Sequence, residues 1–265
     1  MNPIAWAKYR AFWRIGVRTA VNERGELLGR MVFFAALLGV FSALWRTIAE
    51  AGMPIATNPR QMVWYLATTE WILMSAPQLH TEMQEEVRRG DVVYRLARPV
   101  SYLGAVFSQA LGMLAVRAAA LALTAFVSAY AMTRSTPPLA VLACAVPLGL
   151  AAMVLVVALY VTIGLSSFWL AEVAPIYWVS QKLLFVLGGL MLPLRLYPSW
   201  LRRLAMCTPF PSMLQGPAAF MLGGTPALGD VLRLAARICV WLLFGVLALR
   251  LLFSRGVRAL VVGGG

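Results

Sequence analysis

EEVRRGDVVYRLARPVSYLG, residues 85–104, is the densest run of charge in an otherwise mostly apolar chain. Arg88, Arg89, Arg95 and Arg98 alternate there with Glu85, Glu86 and Asp91, and long apolar segments flank the run on both sides. A charged side chain at the centre of a bilayer costs at least about 2.5 kcal/mol. The stretch is therefore expected in water beside the membrane, as an elbow between two spans. It has two readings. It is a handle by which a soluble motor moves the membrane part, or it is a solvated loop whose charges set topology. Composition leaves both open.

Working outward, the chain has 265 residues, of which 61% are hydrophobic and 12% charged. Soluble domains carry roughly twice that share of charge, about a quarter of their residues. Apolar runs of roughly 18 residues or more read as membrane spans, and this chain has several. The expected class is an all-α polytopic membrane protein, with residues 1–265 forming one transmembrane domain. The formal charge of +13 argues for nucleic acid only in a soluble chain. Here the basic residues gather at span ends, where they fix topology and meet membrane lipids, so nucleic acid is not an expected partner. Cys144, Cys207 and Cys239 lack metal-ligand spacing, and His80 is the single histidine. No metal site and no disulfide framework is expected. Residues 1–20 hold four basic residues and no unbroken apolar core, which is not the pattern of a cleavable signal.

Residues 3–20 read as an interfacial helix. At 100° per residue Trp6, Tyr9, Phe12 and Trp13 gather on one side and Arg10, Arg14 and Arg18 on the other. Six spans are expected, near residues 28–48, 62–79, 103–133, 139–170, 176–194 and 231–253. The first two are joined by a turn-rich connection with Gly52, Pro54, Asn58 and Pro59. The elbow occupies residues 80–99. Residues 197–229 are too broken by Pro209, Pro211 and Pro217 to span, yet Trp200, Leu204, Phe210 and Phe220 are too apolar for a free loop. Short re-entrant helices fit, since irregular backbone at membrane depth is tolerated only when protein or a wet cavity surrounds it. Thirteen basic residues lie on the side of the termini and elbow, against six on the other, so both termini are expected in the cytoplasm.

The usual enzyme constellations are missing. No glycine-rich loop ends in Gly-Lys-Ser or Gly-Lys-Thr, so the chain is not expected to hydrolyse nucleotides or bind a cofactor. One histidine, and no carboxylates paired across spans, leave little for acid–base catalysis. Glu70, Arg117 and Lys182 fall within expected spans and are candidate pathway residues. Glu70 and Arg117 both count to the middle of their spans and are candidate partners of each other. Lys182 either serves the pathway or snorkels to the surface.

The order Glu85-x-x-Arg-x-Gly90-Asp91, then Leu96-Ala-Arg98-Pro99, resembles the cytoplasmic signature of ATP-binding-cassette exporter permeases of the type-2 group. The run Tyr197-Pro198-Ser199-Trp200-Leu201, followed by Pro209-Phe210, is similar to a second stretch of that family, with Thr208 where asparagine is frequent. The resemblance implies a permease subunit in the inner (plasma) membrane that exports an amphiphilic substrate such as a drug-like compound, lipid or glycolipid. It implies two copies of a separate ATPase carrying ATP and Mg, and a second permease, identical or related. It makes Glu85, Glu86, Arg88, Arg89, Gly90, Asp91 and Arg95 the ATPase-coupling residues, and Trp200 and Phe210 candidates for an outer gate. The competing expectation is a polytopic protein that does not transport, such as an intramembrane enzyme or assembly factor.

Overall fold

Two glycines set the first tertiary contact. Helix α1 (Pro3–Asn22) lies against α6 (Tyr102–Thr133) so closely that their backbones touch. A Cβ at Gly16 would fall 2.0 Å from the Gln109 carbonyl oxygen, and one at Gly112 would fall 2.1 Å from that of Trp13. Small residues permit such an approach between membrane helices. The buried face of α1 is Gly16 and Ala20, whereas Trp6 and Trp13 stay exposed, available to the headgroup region. The helix runs two residues beyond the expected 3–20.

The computed structural model describes residues 3–52, 58–97 and 99–263. Pro54 and Arg98 lie outside the described residues. Among those described, every regular element is helical. After α1 come α2 (Arg24–Glu50) and α3 (Pro59–Ser75). Asn58 caps α3 by accepting from the Arg60 amide, and Pro59 occupies the first turn, where its missing N–H costs nothing. The elbow is α4 (Leu79–Arg89) and α5 (Asp91–Leu96), followed by α6 and α7 (Leu139–Leu165), the latter extended by one 3₁₀ turn over Ser166–Phe168. Then come α8 (Ala174–Leu187), the short helices α9 (Ser199–Met206), α10 (Phe210–Met213) and α11 (Gln215–Ala219), and the terminal α12 (Leu228–Gly263).

By length and composition four helices can cross a membrane: α2, α6, α7 with its 3₁₀ extension, and α12. The other two expected spans begin earlier than expected, at Pro59 and Ala174, and stop short at their carboxyl ends. The second ends at Ser75, because Pro77 and Gln78 break the chain before Leu79 opens α4. The fifth ends at Leu187, where Gly188 and Gly189 turn it. At 1.5 Å per residue α3 is about 26 Å long and α8 about 21 Å, less than a hydrocarbon core of about 30 Å. Helix α3 is buried on nearly every side, wrapped by α2, α6, α7 and α11, and forms the axis of the core. Its burial explains how a helix can carry Thr68, Thr69 and Glu70 in succession.

Candidate functional site

The elbow is built from one glycine and one ion pair. Gly90 stands between α4 and α5 at φ 78°, in the left-handed region that glycine enters at least cost. No neighbour lies within 4 Å of where its Cβ would be, so the torsion alone selects glycine there. Arg95 on α5 reaches back to Glu86 on α4 at 2.8 Å, and the Tyr102 hydroxyl of α6 donates to the same carboxylate at 3.4 Å. Burial pushes the Glu86 carboxyl above its ordinary range, against the opposing pulls of Arg95 and the Tyr102 hydroxyl. The Lys8 ammonium of α1 donates to the Pro99 carbonyl at 3.3 Å, tying the far end of the elbow to the amino helix.

The charges therefore divide into two sets. Glu86 and Arg95 face each other and brace the two short helices. Arg88 and Arg89 are about 70% exposed and lean on Glu85 at 3.8 and 3.2 Å, while Asp91 is exposed beside them. Surface pairs of that kind contribute little to stability. Their guanidiniums are free to meet another molecule. Next to them Val93 and Tyr94 are 60% and 74% exposed. Sequence reasoning passed over these two. The signal was present: Val92-Val93-Tyr94 is an apolar run in a two-turn helix, and such a helix has room to bury only one of the three, here Val92.

The base of the elbow rests on the second half of the chain. Met83 of α4 packs into Gly164 of α7, and Gln84 accepts the Val173 amide just before α8 at 2.8 Å. His80 stacks on Tyr177 of α8 with ring centroids 4.0 Å apart and lies edge-on to Tyr160 of α7. Tyr160 in turn holds the Gln181 amide at 2.5 Å. Burial keeps the His80 imidazole below its usual value. The elbow joins α3 and α6 through the chain, but it docks on α7 and its 3₁₀ extension, and touches α8 through the His80–Tyr177 stack.

The three intramembrane candidates are not brought together. Arg117 does not meet Glu70; it reaches Glu23 at 3.0 Å and Glu26 at 3.3 Å. Glu26 also holds Arg30, whose guanidinium donates to the Met74 carbonyl. Helix α6 is 32 residues long, about 48 Å, and its first turns run alongside α1, so Arg117 at its middle meets the start of α2 rather than Glu70. Arg117 thus sits level with the start of α2, locking it to α6. Glu70 is buried, and among the described residues no ion pair or hydrogen bond reaches it. Lys182 is exposed on α8, a helix that buries only Tyr177, Leu184 and Leu187 and leaves Trp178, Val179, Phe185 and Val186 bare.

On the face opposite the elbow, the chain after α8 turns back into the protein. Gly189 adopts φ 66°, and the Tyr65 hydroxyl donates to its carbonyl. Thr69 donates to the Leu190 carbonyl at 2.8 Å, and the Gln215 amide bonds the Gly188 carbonyl at 3.1 Å. Phe210 packs on Leu187, Leu194 and Ala205, whereas Trp200 on α9 is 64% exposed. The two gate candidates occupy different surroundings.

A scan against family models matches residues 58–264 to "ABC-2 family transporter protein". Neither the curated proteins nor the solved structures contain a match. The matched region takes in the elbow, the turn after α8 and every helix from α3 onward, well over half of the chain. On that match and its apolar helices, this chain is a multi-pass membrane protein of the ABC-2 transporter family, a permease component of an ABC transporter.

Proposed function

We propose that the chain uses the elbow α4–α5 to take mechanical work from a separate ATPase and moves an amphiphilic substrate, such as a drug-like compound, a lipid or a glycolipid, out of the cell. The observation that carries this reading is the division of charge in the elbow. Glu86 and Arg95 brace it from within, leaving Arg88, Arg89, Val93 and Tyr94 bare at its tip. A rigid pair of short helices with exposed cations and two apolar side chains suits a groove with an acidic rim and an apolar floor. ABC-2 permeases generally work with an ABC ATPase, and ATP with its Mg would be bound on that partner, since the sequence has no phosphate-binding loop. Closure of two ATPase copies would push the elbow against α7 and α8, through His80 and Gln84, as well as pulling on α3 and α6.

The bare apolar face of α8 supports a second permease, identical or related, packed alongside it. The excess of basic residues near the termini and elbow supports a six-span arrangement with both termini in the cytoplasm of an inner-membrane protein, α3 and α8 spanning within the protein. The co-purification test is direct. Affinity-tagged permease, co-expressed with the ABC ATPases of its source cell and weighed intact by native mass spectrometry, should yield two permeases with two ATPases. A lone permease under conditions that preserve other such complexes would refute the arrangement.

A further inference from the structure

We infer that the face of α3 between α6 and α7 binds one phospholipid of the leaflet opposite the elbow, its acyl chain in a groove and its phosphate between Arg60 and Arg134. Helices α6 and α7 both pack on α3 yet scarcely touch each other, and the gap between them is a cavity of about 430 Å³. Its floor is made of alanines, Ala67, Ala125 and Ala145, and its walls of Trp64, Trp71 and Phe126. It lies in the half of the molecule away from the elbow, near the last turns of α6 and the first turns of α7. It opens sideways, past exposed Leu123 and Val146, between two helices long and apolar enough to cross a membrane.

The chemistry of the walls decides the occupant. The Trp64 indole donates to the Ser135 carbonyl at 3.1 Å, the Trp71 indole to that of Ala118 at 2.9 Å, and the Thr68 hydroxyl to that of Trp64 at 2.9 Å. Every hydrogen-bond donor in the lining is already used, so a polar ligand gains nothing there, while an acyl chain loses no hydrogen bonds on entering. Volumes of about 300–1,000 Å³ are those of small-molecule sites. Beyond the end of the groove marked by Trp64, the character is the opposite. Arg60 lies one turn before Trp64 on α3, and Arg134 caps α6 beside Ser135, the residue that holds the Trp64 indole. Both are exposed, and among the described residues neither has an ion pair. Two free guanidiniums above an apolar slot complement a phosphate above its acyl chain. The site is remote from the elbow and does not rest on the direction of transport.

The test uses purified full-length protein in mild detergent and two probes with the same acyl chains, phosphatidylglycerol and the uncharged diacylglycerol. Native mass spectrometry should show one retained phosphatidylglycerol. Ala122→Trp and Val146→Trp, which fill the groove, should remove it. Arg60→Ser/Arg134→Ser should weaken phosphatidylglycerol about tenfold or more and leave diacylglycerol unchanged. The arginine pair lies on the surface, so that variant decides the matter even where a filled groove fails to fold. Retention unchanged by filling, equal retention of the two probes by the wild-type protein, or an arginine variant that binds as the wild type does would overturn the inference.

Discussion

The elbow and the turn after α8 solve the same problem in two solvents. Each breaks the chain between long helices, and each does so with a left-handed glycine, Gly90 at φ 78° and Gly189 at φ 66°. Around Gly90 there is open space, and the neighbouring helices are braced by charge, Arg95 on Glu86. Around Gly189 there is protein. Its carbonyl and that of Leu190 are taken by hydroxyls from α3, and a Cβ would sit 3.1 Å from both the Leu192 carbonyl and the Tyr65 hydroxyl. Water supplies the elbow's spare hydrogen bonds. Inside the membrane region the protein must supply every one, because hydrocarbon offers none. The consequence is mechanical: the elbow's tip is available to a partner, and the turn after α8 is locked to the core.

The contrast predicts unequal responses to equal changes. Gly189→Ala should be the most damaging, adding a crowded Cβ to an unfavourable torsion and destabilising the protein by about 2–4 kcal/mol, read as thermal unfolding in detergent. A variant as stable as the wild type would mean that the turn is not locked. Thr69→Val keeps the volume but strips the Leu190 carbonyl of its donor, and should cost about 1–2 kcal/mol in the same assay. Gly90→Ala meets only its torsion, about 1 kcal/mol, so its loss of stability should be clearly smaller than that of Gly189→Ala. Equal losses would erase the distinction between the two breaks.

The smallest effect concerns the joint between them. Burial holds the His80 imidazole below its ordinary value, so the folded state favours the neutral ring that stacks on Tyr177 near Arg30. That contribution is complete above the ordinary imidazole value of about 6.5 and is lost as pH falls below it. Thermal stability should therefore decline from neutral pH towards pH 5, and His80→Gln should flatten the decline. A wild-type profile without slope in that window would show that His80 is not held neutral.

How much of this was legible depended on distance along the chain. The elbow was readable because its charges and Gly90 are contiguous, and charge beside long apolar runs has one physical home. That residues 3–22 form a helix was legible in the local spacing of its aromatic and basic residues. Its seat on α6 was not, because Gly16 and Gly112 look like ordinary glycines until their backbones are brought together. The Arg117 partners were not legible, because Glu23 and Glu26 lie more than ninety positions away and the packing of α6 on the start of α2 has no local signal. The carboxyl ends of α3 and α8 are hidden in the sequence because apolar residues continue past both breaks, at Ala76 and Leu79 and again from Leu190 to Leu194, and burial in the protein core reads in sequence like burial in lipid. Brackets such as Thr69 on Leu190 join residues more than a hundred positions apart, and neither residue type announces the other.

Whether the bare tip of the elbow receives the ATPase is decided by the ATPase that affinity-tagged permease retains in lipid nanodiscs, together with its hydrolysis rate, for Arg88→Glu/Arg89→Glu against Arg202→Glu on the opposite face. Reversing the two exposed arginines places like charges against the partner's acidic rim, a mismatch of a few kcal/mol. The elbow reversal should insert normally yet lose most of the bound ATPase and its stimulated hydrolysis, while Arg202→Glu keeps both. A full complement of stimulated ATPase on the elbow variant would contradict that docking and leave α4–α5 a solvated loop between spans.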